Sequence, residues 1–187
     1  MSGHDREVRV FGLWVFLLTE VMLFGPLFVA YAIYRMQHPA AFAEGSAHLD
    51  RVLGTINTAV LLGSSLCVAL GVRAAEAGAS ARRWLWIAAA LGAVFLAIKG
   101  FEYHHKFTEH LVPGLDFHGA APMQLFFVLY FVMTLLHGVH IVVGLTLLAG
   151  AAVLAPSATT VELVGLYWHF VDVVWVFLFP LLYLVSR

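Results

Sequence analysis

The stretch FGLWVFLLTEVMLFGPLFVAYAIY, Phe11–Tyr34, decides the fold class. A helix rises about 1.5 Å per residue, so about 20 mostly apolar residues cross the roughly 30 Å hydrocarbon core of a bilayer. Phe11–Tyr34 exceeds that length and carries a single charge, Glu20. It is too long for a removable signal peptide and lacks a small-residue cleavage site. It therefore reads as a permanent transmembrane helix.

Four further stretches satisfy the same test: about Val52–Ala75, Trp84–Phe107, Met123–Ala149 and Leu163–Val185. The 187 residues then form one all-α, polytopic membrane domain, a bundle of five transmembrane helices spanning 1–187. Composition agrees, with 62% apolar and 11% charged residues against about 45–50% and about 25% in soluble domains. A water-soluble enzyme and a disordered tail are excluded. With 10 Lys+Arg against 11 Asp+Glu there is no basic field to attract nucleic acid. One cysteine, Cys67, allows no intramolecular disulfide and reads as a small packing residue.

Pro39, Pro113, Pro122 and Pro156 fall between the spans, where a missing N–H costs little. Pro26 and Pro180 lie inside spans and are expected to bend them. The stretch Gly100–Pro122 reads as a polar, His-rich loop. Positive charges divide almost evenly between the two sides, but Arg82 and Arg83 abut Trp84, which favours a cytoplasmic N-terminus.

Lipid tails are as apolar as leucine, so helices associate through close backbone approach and hydrogen bonds. The second span carries small residues at every fourth position, Thr55, Ala59, Gly63, Cys67 and Gly71. The third carries Ala89, Ala93 and Ala97. Both stripes are expected to face the bundle interior.

Intramembrane ionisable residues are costly, about 2.5–3.5 kcal/mol on insertion scales for the most polar, and mark candidate functional sites. Glu20 lies nine residues into the first span, at a depth of about 13.5 Å. Asp172 lies nine residues into the fifth, with His169 one turn before it. His137 and His140 sit one turn apart on the fourth span, which runs oppositely. Counted from Ala149, His140 reaches the depth of Glu20 and Asp172. The expectation is a polar layer of Glu20, His140 and Asp172, with His137 and His169 close by. Three roles are open to it: bracing helices in register, relaying or tuning proton uptake, and ligating haem or metal through histidine. Asn57, Lys99, Glu102 and Glu162 form a secondary polar set. Lys99 is expected to snorkel from a solvated helix end, where Glu102 and Lys106 stand in favourable i, i+4 order. His4, His38, His48, His110 and His118 read as exposed tail and loop residues.

LYWHFVDVVWVFLFPLLY at Leu166–Tyr183, with Glu162 seven residues before His169, resembles the last-helix signature of cytochrome c oxidase subunit III. FLLTEVMLF (Phe16–Phe24), INTAVLLGSS (Ile56–Ser65), KGFEYHHKF (Lys99–Phe107) and HGVHIVVG (His137–Gly144) are similar to its other helices in the same order. Many members of that family have seven helices, and this chain matches the last five. The resemblance implies a non-catalytic subunit of a haem–copper terminal oxidase in a bacterial-type inner membrane. Haem and copper would belong to partner subunits, chiefly subunit I, whose stability and proton uptake this subunit would support while holding phospholipid. Glu20 would be the family's intramembrane glutamate. His137, His140, His169, Asp172, Glu102 and Glu162 would be its other signature polar residues, none of them a metal ligand. Subunit III of a quinol oxidase and an accessory protein of nitric oxide reductase share the five-helix form, while a self-sufficient b-type cytochrome is a separate alternative.

Overall fold

The computed structural model describes residues 3–114, 117, 120–154 and 157–185, with side chains from residue 7 onward. Pro156, His118, Arg187 and the side chain of His4 lie outside the described residues. Six helices follow one another: α1 (Gly3–Gln37), α2 (Pro39–Ala47), α3 (Arg51–Glu76), α4 (Arg82–Thr108), α5 (Ala121–Leu154) and α6 (Ala158–Tyr183). All except α2 are long and apolar enough to cross a membrane, so the protein is an all-α bundle of five candidate spans.

α2 has no counterpart in the sequence reading, because nine residues are too few to show a spanning run. Pro39 stands at its first turn, where proline's fixed φ suits a helix start. Asp50 then starts α3, its Oδ1 accepting the Leu53 N–H at 3.0 Å. Gly78, at φ 72°, ends α3 in a Schellman turn in which Ala79 N–H reaches the Ala74 carbonyl at 2.8 Å. His110 plays the same part after α4 at φ 54°, with Leu111 N–H on the Lys106 carbonyl at 3.2 Å. The expected loop from Gly100 is therefore helical as far as Thr108. Pro26 and Pro180 sit inside α1 and α6, and both helices continue through them.

α3 packs mainly on α4 and α6, α5 packs on α4 and α6, and α1 lies at the edge against α6, α5 and α2. The buried side of α3 is Gly54, Asn57, Leu61, Ser64, Val68 and Gly71. This corrects the expected stripe: Thr55 and Ala59 are exposed, and Gly63 and Cys67 are only half-buried. Four residues advance about 400° at 3.6 per turn, so an every-fourth row drifts off any face, whereas alternating steps of three and four stay on it. Ala93 and Ala97 are exposed on α4 for the same reason, and Ala89 alone of that row is buried.

Close approach is instead made around Trp168, which is fully buried. A Cβ on Gly92 would lie 2.6 Å from Trp168 Cη2, and one on Gly144 would lie 2.7 Å from its Cε3. The missing side chains on α4 and α5 thus make room for an indole from α6. Polar side chains add lateral bonds: Ser64 Oγ donates to the Ala88 carbonyl at 2.8 Å, and Trp175 Nε1 donates to Thr58 Oγ1 at 3.0 Å. The Tyr31 hydroxyl donates to the Leu181 carbonyl and joins α1 to the end of α6.

Candidate polar sites within the bundle

Glu20 and His140 meet where α1 crosses α5. His140 Nε2 and Glu20 Oε2 are 2.7 Å apart, and each side chain is 12% exposed. The other ring nitrogen, Nδ1, is 2.8 Å from the Leu136 carbonyl of its own helix. A carbonyl only accepts, so Nδ1 carries hydrogen. One proton therefore remains for the Nε2–Oε2 bond, held as glutamic acid donating to imidazole or as imidazolium donating to carboxylate. Either way the pair is neutral overall, which is how a carboxylate is tolerated at this depth. Phe24 flanks the imidazole at 5.3 Å, and Tyr167 OH donates to the His140 carbonyl at 3.2 Å.

Asp172 does not join that pair. It is buried on α6 among contacts with α3, and neither of its oxygens has a hydrogen-bond partner among the described residues. Ser65 stands beside it, but the Ser65 hydroxyl is committed to His169 Nδ1 at 2.5 Å. The expected single layer is thus two clusters, Glu20–His140 and Ser65–His169 with Asp172. A count along a helix sets the level of each residue but not the direction in which its side chain points.

His137 belongs to neither cluster. It is 1% exposed, stacked on Trp175 at 5.3 Å and edge-on to Phe95 at 5.7 Å, with no hydrogen-bond partner on either nitrogen among the described residues. The three membrane histidines therefore face different surroundings. No group of three or more His, Cys, Asp or Glu side chains is placed to hold a metal ion among the described residues.

The larger polar centre is one the sequence reading treated as a solvated helix end. Lys99 is 7% and Glu102 4% exposed. Lys99 Nζ donates to Glu102 Oε2 at 3.0 Å and reaches the hydroxyls of Tyr130 at 3.2 Å and Tyr183 at 2.7 Å. Both phenols donate to Glu102 Oε1, at 2.9 and 2.5 Å. Lys99 thus does not snorkel outward, because its partners lie inward on α5 and α6. Glu102 is bonded to Lys99, and Lys106 instead pairs with Glu109 at 2.5 Å and donates to the His48 carbonyl at 2.7 Å. Tyr130 and Tyr183 were missed as site residues. Tyrosine is common near membrane interfaces, and only the tertiary contact distinguishes these two.

Of the remaining candidates, Asn57 is buried with Nδ2 on the Phe95 carbonyl at 3.4 Å, and Glu162 is half-buried near the start of α6. His38, His48 and His110 are exposed, as expected. Beyond the end of α4, burial acts to raise the Glu109 carboxyl. The Lys106 bond and charge, with His105 and His48, outweigh it and hold the group below its ordinary range.

The family model described as "Cytochrome c oxidase subunit III" matches residues 4–187. Among curated proteins, cytochrome c oxidase subunit 3 of Thermostichus vulcanus is 36% identical, covering 99% of this chain and 92% of its own. Cytochrome c oxidase subunit 3 of Synechocystis sp. is 37% identical over 98% of this chain and 78% of its own. Cytochrome bo(3) ubiquinol oxidase subunit 3 of Pseudomonas aeruginosa is 30% identical over 98% and 91%. With a half-buried glutamate–histidine pair in a bundle of five candidate spans and a match along nearly its whole length, the chain belongs to the cytochrome c oxidase subunit III family.

Proposed function

We propose that this chain is the non-catalytic subunit III of a haem–copper terminal oxidase of the cytochrome c type. In this reading it docks beside subunit I in a bacterial-type inner membrane with its N-terminus cytoplasmic. Haem and copper reside in the partner subunits, and the chain supports the stability and proton uptake of subunit I. The observation that carries the reading is the Glu20–His140 pair, an acid and base sharing one proton at 2.7 Å within two candidate spans, on a chain whose family match covers residues 4–187. An acid–base pair of that kind can shift its proton between the two members without a change in net charge facing lipid. The broad apolar surface of α1, on which Phe11, Trp14, Leu18 and Met22 are exposed, suits a membrane-embedded neighbour or phospholipid.

The test is purification of the tagged chain from its native membrane. Recovery of a haem-bearing partner with oxygen-reducing activity supports the reading, and the electron donor accepted separates a cytochrome c oxidase from a quinol oxidase. A stoichiometric haem signal from the chain alone, or a nitric oxide-reducing partner, would overturn it. Within the complex, Glu20→Ala is expected to accelerate inactivation during turnover and slow proton uptake, with Glu20→Gln milder. Wild-type behaviour of both variants would remove the pair from the mechanism.

A further inference from the structure

The Lys99–Glu102 centre has a route to water. A cavity of about 230 Å³ opens between the α2–α3 turn and the end of α4, with His48, Asp50, Glu102, His105, Lys106 and Glu109 in its wall. His48, Asp50, His105 and Glu109 are exposed at its mouth, while Glu102 is buried at its inner side. We propose that Lys99, Glu102, Tyr130 and Tyr183 form a proton-exchange site, loaded and unloaded through this cavity from the aqueous face on the α2 side. The proposal rests on this chain's own residues and is independent of which oxidase the chain serves.

The hydrogen count supports it. As a carboxylate, Glu102 accepts two phenol hydrogens on Oε1 and one ammonium hydrogen on Oε2, and the other Lys99 hydrogens point at the two phenol oxygens. A proton arriving on Glu102 turns one of those acceptors into a donor. The proton stays on Glu102, and either phenol oxygen can accept its hydrogen bond once the phenol hydrogen turns away from Oε1. The centre thus takes up the proton at the cost of one phenol-to-carboxyl bond. Neutralising Glu102 would ordinarily strand the buried ammonium of Lys99. Here the rings of Trp175 at 5.1 Å and Tyr103 at 5.6 Å from Nζ to the ring centre stand beside it, and the hydroxyl oxygens of Tyr130 and Tyr183 continue to accept from it. These contacts support the cation in place of a counter-ion.

The groups that set the proton balance come from every element around the centre. α4 supplies Lys99, Tyr103, His105 and Lys106, α5 supplies Tyr130, and α6 supplies Tyr183. His48 and Asp50 of the α2–α3 turn and Glu109 after α4 ring the cavity. Lys106 is tied to Glu109 and the His48 carbonyl, which leaves its charge at the wall and not on Glu102.

The experiment is infrared difference spectroscopy on the purified protein, in whatever assembly it is recovered, during acidification within the range where circular dichroism shows it folded. A protonated-carboxyl band is expected to rise reversibly, to persist in Glu20→Gln and Glu109→Gln, and to vanish in Glu102→Gln. Glu102→Asp is expected to shift its frequency, which assigns the band should the glutamine variant not fold. Ala47→Trp, which narrows the cavity mouth, is expected to leave the final amplitude unchanged and slow its appearance after a pH jump severalfold. Absence of any Glu102-dependent band overturns the site, and unchanged kinetics in Ala47→Trp overturns the route.

Discussion

Glu20 and His140 stand 120 residues apart in the chain and 2.7 Å apart in the fold. Because Nδ1 of that imidazole is committed to the Leu136 carbonyl at 2.8 Å, Nε2 accepts from a protonated Glu20 or donates to an ionised one. The two residues hold α1, the most peripheral span, against α5.

This pairing predicts coupled losses. Glu20→Ala is expected to cost about 1–3 kcal/mol, the range for a buried bond to a chargeable group. Glu20→Gln is expected to cost less, since its amide can donate to Nε2. In a His140→Ala background the cost of Glu20→Ala should largely disappear. Thermal midpoints of the four proteins in detergent form the cycle, and additive losses would contradict the contact.

The packing around Trp168 predicts which glycines matter. Gly92→Ala and Gly144→Ala place a Cβ within 3 Å of the indole and are expected to destabilise by about 1–3 kcal/mol through overpacking. Gly63 meets nothing nearer than Leu91 Cδ1 at 3.9 Å, so Gly63→Ala is expected to stay within about 0.5 kcal/mol of the parent. The same detergent melts measure all three.

Lys99→Met leaves Glu102 buried without its cation and is expected to cost about 3–5 kcal/mol. Adding Glu102→Gln to that variant is expected to recover a substantial part, because no uncompensated charge remains. A double variant no better than Lys99→Met would mean that the loss comes from packing around the lysine stem.

Glu109 predicts an acid-side pH dependence. Its folded pKa lies below the ordinary carboxylate value, so its contribution is present above the unfolded pKa of about 4.3 and is lost as pH falls through the lower folded value. The stability gap between the parent and Glu109→Gln should therefore close on acidification below about pH 4. A gap that widens there would reverse the sign of the argument. The group is partly exposed, so the effect is expected to be small and to shrink further in high salt.

Much of the architecture is legible in the chain. The five apolar runs identify the five candidate spans. Counting at 1.5 Å per residue brings Glu20 and His140 to one level, and the fold joins them. The same count joins Asp172 to them, and the fold does not, since Asp172 sits with His169 and Ser65 between α3 and α6. It also leaves Lys99 and Glu102 at a wet helix end, whereas Tyr130 and Tyr183 draw them inside.

The division has a physical cause. Length and apolarity determine that a segment crosses the membrane, and residue number determines how deep each side chain lies. Neither determines how a helix is turned about its axis. In a soluble protein polarity reveals the turn, because one face meets water. Here lipid and bundle interior are equally apolar, so the faces of α3 and α4 read alike until Trp168, Gly92 and Gly144 interlock. The tertiary structure alone decided which polar residues meet.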